Sequence, residues 1–249
     1  MSNIVSFINQ KGGVAKTTTA INVAAQWAKN GKNVLLIDLD PQSSATRAIF
    51  GDEEFEDTIY DVLTSEIAAE EAVVHSETFG IDVIPSEIML SGIEIILASK
   101  FGRESILKRA LAEIKDQYDI IIIDCSPSLG LLTVNALMAS GDIVIPICPE
   151  YFSLKGIDLI LETLKHIHVG LGHKVEVRGI IISKYRNRRI IEQVINDVRT
   201  NYKIPVFNNY IPESIVVEEA HHRHQPMLQY SPKNPAGLAL ANLATEMWA

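Results

Sequence analysis

The sequence predicts one doubly wound α/β domain spanning residues 1–249, with a single mostly parallel sheet and helices on both of its faces. Short apolar runs rich in β-branched residues alternate with longer runs whose apolar residues recur every three or four positions, almost from end to end. Several of the short runs are continuously apolar rather than alternating, as expected for strands buried on both faces. A glycine-bearing loop also separates the first strand-like run from the first helix-like one, the order in which such folds place a phosphate cradle.

Taken in order, the expected strands are Ile4–Asn9, Val34–Asp38, Ile81–Pro85, Ile120–Asp124, Ile143–Ile147, Arg178–Ser183 and Val206–Asn208. The helices show the complementary period. Ala20, Val23, Ala24, Trp27 and Ala28 form one apolar stripe, closed by Gly31. Ile106, Leu107, Ala110, Leu111 and Ile114 form a second stripe. Ile191, Val194, Ile195 and Val198 form a third, and Leu240, Leu243, Ala244 and Met247 a fourth. No linker, repeat or low-complexity stretch interrupts the pattern.

A hydrophobic content of 47% suffices for a buried core without disulfides or a structural metal. The cysteines, Cys125 and Cys148, lie in or beside apolar strand runs, as buried unpaired thiols of a reducing compartment would. No apolar run approaches the roughly 20 residues of a membrane-spanning helix, and the chain enters a strand too early to leave room for a signal peptide. These features point to a soluble, cytoplasmic protein. The formal charge of −9 argues against nucleic-acid binding by bulk attraction. Its distribution is uneven, however: residues 52–57 are acidic, whereas 184–189 read Lys-Tyr-Arg-Asn-Arg-Arg.

Residues 11–18 read Lys-Gly-Gly-Val-Ala-Lys-Thr-Thr. The Gly pair lets the backbone curl so that its N–H groups converge, Lys16 adds a mobile positive charge, and Thr17 offers a hydroxyl suited to Mg²⁺. At a helix N-terminus the dipole favours the same anion. One helix later, Asp38-Leu-Asp40-Pro-Gln ends a strand with two carboxylates on one side, able to orient a water or hold a hydrated Mg²⁺. Ile120–Asp124 is a further apolar strand ending in a carboxylate, in the manner of a Walker B segment.

The strict phosphate-loop pattern is not met, because Gln10 stands at its first glycine and Ala15 at the glycine before the lysine. Lys11 opens the loop instead. This KGGxxK[ST]T variant, followed by an intact DxDPQ, resembles the ParA/MinD family of ATPases, and the resemblance runs from Ile4 to the terminal segment around Glu246. It implies that Lys11, Gly12, Gly13, Val14, Ala15, Lys16, Thr17 and Thr18 bind ATP, with Pro212 on the adenine side. It further implies Mg²⁺ held by Thr17, Asp38 and Asp124, partly through water, with Asp38 also supporting the switch region. Asp40 would position or deprotonate the attacking water. Lys11 would cross an ATP-sandwich homodimer to the partner's phosphates, and Lys155, in place of a commonly acidic residue, could reach the same region.

By the same analogy Lys184, Arg186, Arg188, Arg189 and Arg223 carry sequence-independent DNA binding, although no base-reading motif is present. A ParB-like or other cargo-adaptor protein would stimulate hydrolysis, and the ATP-bound protein would sit on the nucleoid. The expected role is plasmid or chromosome partition. Positioning of a protein cargo such as carboxysomes or chemoreceptor clusters, a MinD-like division-site role, and a non-hydrolysing nucleotide-gated scaffold are the alternatives. The C-terminus lacks the basic amphipathic helix of membrane-bound relatives, so no membrane partner is expected. Ser126-Pro127 replaces the family's paired prolines and Glu213 an arginine. His221, His222 and His224 occupy a loop that usually carries Ser and Gly, and they read as a solvated or pH-sensitive surface loop rather than a metal site.

Overall fold

The computed structural model describes residues 4–149, 153–185 and 188–248. Its strands are β1 (Ile4–Phe7), β2 (Val34–Leu39), β3 (Val74–Ser76), β4 (Ile81–Ile84), β5 (Ile120–Cys125), β6 (Asp142–Ile147) and β7 (Glu176–Ile182). They form one sheet in the order β3–β4–β2–β5–β1–β6–β7. All neighbours run parallel except β3, which pairs antiparallel with β4. The chain leaves β1 towards β2 on one side and later returns past β1 to β6 on the other. That reversal opens a crevice at the carboxyl end of β1, where sheets of this kind take their ligands.

The helices are α1 (Lys16–Lys29), α2 (Ser44–Phe50), α3 (Ile59–Thr64), α4 (Ile93–Leu97), α5 (Ile106–Leu111), α6 (Leu131–Ala139), α7 (Ser153–Leu171), α8 (Arg188–Asn201), α9 (Val216–His222), α10 (Met227–Tyr230) and α11 (Pro235–Trp248). Strand alternation sorts them into two layers. Val5, Phe7, Leu36 and Ile122 face a core shared with α1, α2, α9, α10 and α11. Ile4, Leu35, Ile37, Ile121 and Ile123 face the opposite core, shared with α3 to α8. Every residue of β1, β2 and β5 is buried, which explains why their sequences read as unbroken apolar runs.

Helix α1 buries the expected stripe and ends at Gly31, whose φ of +82° suits glycine. The Trp27 indole N–H donates to Ala244 O at 2.8 Å and its ring meets Trp248 edge-on at 5.5 Å, so α11 clamps the helix behind the glycine loop. Among the described residues no helix is long and apolar enough to cross a membrane.

Two strand expectations need correction. Strand β3 gave no sequence signal, being a short edge piece with His75 exposed. Val206–Asn208 is not a strand: it makes a single bridge to Ile180, since Pro205 has no N–H with which to extend a ladder. The remaining strands differ from expectation by a residue or two at their ends.

Candidate functional site

The Gly12–Thr18 loop hangs from the carboxyl end of β1 and is pinned from two neighbouring strands. Asn9 donates from Nδ2 to Pro146 O at 2.6 Å, and its Oδ1 accepts the Lys11 N–H at 2.9 Å. On the far side, the Ser183 hydroxyl donates to Val14 O at 2.7 Å. The loop is therefore fixed by the sheet beneath it. Neither Asn9 nor Ser183 was picked out from the sequence; an amide ending the first strand was the available signal for Asn9, and Ser183 had none.

Gly13 has φ +73°, and a Cβ built on Gly12 or Gly13 would meet nothing within 4 Å, so the loop presents open backbone towards its ligand side. Ala15 caps α1 in the left-handed region at φ 62°. The glycine that the strict pattern places here would adopt that conformation without strain; alanine stores about 1 kcal/mol. Lys16 is buried, with its ammonium 3.5 Å from Lys11 O. Burial pushes its pKa below the ordinary value, while the charges of Asp124 and Asp40 support the protonated form. Lys11 is exposed at the outer edge of the loop, and Thr17 is half-buried.

Below the loop lie the carboxylates. Asp38 on β2 and Asp124 on β5 are register neighbours, and both are fully buried. Asp38 is well supplied: its Oδ2 accepts the Thr46 N–H and hydroxyl, each at 2.8 Å, and its Oδ1 accepts the Asp40 N–H at 3.2 Å. Burial still raises it to about 6. Asp124 differs, because neither of its oxygens has a hydrogen-bond partner among the described residues. Burial first, then the Asp38 charge, pushes its carboxyl to about 8, with Thr17 and Lys16 pulling the other way. Such an orphaned acid beneath a phosphate-type loop fits a cation. The Thr17 hydroxyl and the Asp124 carboxylate have the capacity to hold Mg²⁺. Asp38 accepts three hydrogen bonds, two from Thr46 and one from the Asp40 N–H, which brace the loop after β2.

Asp40 stands just past β2, 8% exposed, with its Oδ1 accepting the Gln42 N–H at 2.9 Å and its carbonyl accepting the Ser86 hydroxyl at 2.8 Å. Pro212 sits at the same edge, bridged to Tyr185 beyond β7, with Ile211 N–H donating to Ile182 O at 2.8 Å. Lys155 is exposed in α7.

The basic residues are not all brought together. Lys184 is exposed with φ 51° at the end of β7, and Arg189 is exposed on α8. Arg186 lies outside the described residues, as does the side chain of Arg188, which opens α8. Arg223 caps the end of α9, which packs in the opposite layer from α8. The histidines depart from the solvated alternative of the loop reading and leave the pH-sensitive one open. His222 is exposed, but His221 and His224 are half-buried, with His221 Nε2 and His224 Nδ1 lacking partners among the described residues. Gly51, lacking a side chain, leaves the space that the His224 ring fills against the end of α2. Among the described residues no cluster could hold a metal through three such ligands. Cys125 and Cys148 are both buried, as expected.

A family model described as an AAA domain matches residues 2–177. The sporulation initiation inhibitor protein Soj of Bacillus subtilis is 38% identical over 100% of this chain and 99% of its own length. The chromosome-partitioning ATPase Soj of Treponema pallidum is 37% identical over 100% and 98%. The crystal structure of a Mycobacterium smegmatis protein named cobyrinic acid a,c-diamide synthase, with bound ADP and magnesium, superposes with a TM-score of 0.87 at 31% identity, over 100% of this chain and 94% of that one. Full-length similarity to Soj, the phosphate-type loop and the paired strand-end carboxylates lead to one assignment: the chain belongs to the ParA/Soj-type family of partition ATPases.

Proposed function

We propose that this chain is a Mg²⁺-dependent, cytoplasmic partition ATPase whose ATP-bound homodimer binds DNA without sequence preference and turns over when a cargo-bound, ParB-like protein engages it. The observation that carries the reading is Asp124, a buried carboxylate without a partner beside a buried lysine under a glycine loop. That arrangement costs stability in an empty fold, and a cationic ligand would offset the cost.

Lys16 and the loop N–H groups of residues 12–18 hold the phosphates, and Pro212 lies on the base side. Thr17 and Asp124 hold Mg²⁺, which when bound supplies positive charge to the phosphate oxygens. Asp38 fixes the Asp40 backbone N–H, and Asp40 orients the attacking water. Lys11, exposed at the loop's outer edge, reaches the phosphates of a second copy and offsets charge that develops during transfer. For DNA, Lys184, Arg186, Arg188 and Arg189 supply four positive charges per subunit, and dimerisation doubles the set.

Nucleotide affinity and turnover of Lys16→Ala and Lys11→Ala test the assignment. Lys16→Ala is expected to lose binding, whereas Lys11→Ala keeps affinity and loses turnover by about 10³-fold or more. Equal loss of affinity in both would remove Lys11 from a trans role. Mobility shifts on unrelated duplexes test the DNA surface: binding requires ATP, falls with salt and weakens in an Arg186→Ala, Arg188→Ala, Arg189→Ala triple variant.

A further inference from the structure

We propose that a cleft at the outer edge of the sheet, between α8 and α11, takes the unpaired bases of single-stranded DNA. The site rests on the DNA-binding part of the proposed function for its cations and adds a stacking surface to them.

Beyond β7, residues 206–212 form a strip along the sheet edge, bridged to Ile180 at Val206 and to Tyr185 at Pro212. The Ile211 N–H donates to Ile182 O at 2.8 Å, which seats the strip on β7. Its other flank is tied to α11 through one carboxylate. Glu246 Oε1 accepts the Asn208 N–H at 2.7 Å and Asn208 Nδ2 at 2.8 Å. Its Oε2 accepts the Asn209 N–H at 3.2 Å and Asn209 Nδ2 at 2.7 Å. The strip is thus fixed between the two helices before any ligand arrives.

Over this strip lies a cleft of about 650 Å³, a size that suits a small ligand or one unit of a chain. Ile191 and Ile195 of α8 line it from one layer, and Leu238 of α11 from the other. Leu238 is 46% exposed, so this apolar wall stands open to solvent. Tyr185, Tyr210 and Pro212 line it as well and supply ring surfaces on which a planar group can stack.

The distribution of charge chooses among occupants. Lys184, exposed, directly precedes Tyr185, and Arg189, also exposed, lies one turn before Glu192 on α8. These cations flank the cleft, whereas the Glu192 carboxylate and the Asn242 amide line it. A single strand divides its charge in the same way, with phosphates outside and uncharged bases inside whose amino groups can donate to Glu192 and Asn242. Glu213, exposed next to Pro212, keeps phosphate from that end. A paired duplex offers no free base face to the rings. An acidic peptide would set its carboxylates against Glu192, and a basic one would meet Lys184 and Arg189. Cations that follow a backbone, beside aromatic side chains that stack bases, are the two parts of a single-strand site. Pro212 also stands on the base side of the candidate ATP site, so the two sites meet there.

The probe is a short, labelled oligodeoxyadenylate, followed by fluorescence anisotropy without nucleotide. Wild type is expected to bind it more tightly than a duplex of the same length. Tyr210→Leu and Leu238→Asp should each lower single-strand affinity at least about fivefold and leave duplex affinity unchanged. Lys184→Gln with Arg189→Gln should lower both affinities and flatten their salt dependence. Leu238 is exposed and Tyr210→Leu keeps an apolar side chain, so unfolding midpoints should match wild type; Asn242→Asp, also on the surface, is an independent variant should Tyr210→Leu unfold. Single-strand affinity no greater than duplex affinity, equal losses for strand and duplex in the cleft variants, or no loss for either overturns the site. Tighter binding of oligoriboadenylate makes the ligand RNA and overturns the DNA assignment. Displacement of the strand by ADP makes the cleft the base end of the ATP site and likewise overturns it. A protein that binds the strand but neither duplex nor ATP defeats the partition reading and leaves this site standing. One that binds duplex with ATP but never the strand defeats this site alone.

Discussion

Asp38 and Asp124 occupy paired positions on adjacent strands, are equally buried, and have opposite circumstances. Asp38 receives hydrogen bonds from Thr46 and from the Asp40 backbone, whereas Asp124 receives none from the described residues. The same residue type in the same register thus serves two ends. One carboxylate is internally satisfied and sets the shape of the loop that carries Asp40. The other is left unsatisfied next to a buried lysine, and its compensation must come from a ligand. Function in this fold is concentrated where local stability is given up.

The largest effect should come from removing the unsatisfied acid. Asp124→Asn is expected to lower Mg²⁺-dependent ATP turnover by at least about 10²-fold. In the metal-free protein, on the alkaline side, the same change should raise the unfolding midpoint, because it deletes a buried charge whose desolvation outweighs the support from Thr17 and Lys16. A gain of at least about 1 kcal/mol, or ~2–4 °C, is expected. Lower stability of Asp124→Asn in metal-free buffer would break the contrast.

Thr46→Val probes the other side. It strips one donor from Asp38 and the acceptor used by the Ser86 N–H, making Asp38 resemble Asp124. Denaturant unfolding should show a loss of about 1–3 kcal/mol. A neutral result would mean that the brace contributes nothing to Asp38.

The loop above carries a smaller strain. Ala15→Gly relieves a left-handed alanine and should stabilise by about 1 kcal/mol, read as a shift in the denaturant midpoint at constant slope. The smallest effect belongs to a second unsatisfied group. Burial holds His221 below the ordinary histidine value, with Glu218 opposing and His222 and His224 adding to the shift. Its neutral form is therefore favoured in the fold, and the stability it contributes is present above the ordinary value of 6.5 and lost as pH falls through the lowered one. The unfolding midpoint should drop from neutral to mildly acid pH more in wild type than in His221→Gln.

Much of this was legible from residue types and spacing alone. The unbroken apolar runs of β2 and β5 announced strands buried on both faces, and the α1 stripe with Gly31 announced a helix and its end, because burial and backbone sterics act locally. Residues 11–18 marked the loop, and Asp38, Asp40 and Asp124 marked the strand ends. By contrast β3 was silent, since a short half-exposed edge strand has no pattern, and Val206–Asn208 misled because β-branched content cannot reveal that Pro205 stops the ladder. The basic residues read as one group because sequence does not say which layer a helix joins; packing put Arg223 in the opposite layer from Arg189. Likewise the histidine loop looked solvated until Gly51 proved to admit His224.

What the sequence determined by itself was the fold class and the cast of phosphate-loop and carboxylate residues, since periodicity and turn chemistry are properties of neighbours along the chain. What the tertiary structure alone decided was which of those residues have partners. The pinning of the loop by Asn9 and Ser183, the support of Asp38 by Thr46, and the isolation of Asp124 each depend on atoms brought together from distant strands, and hydrogen-bond satisfaction is settled only when the sheet closes.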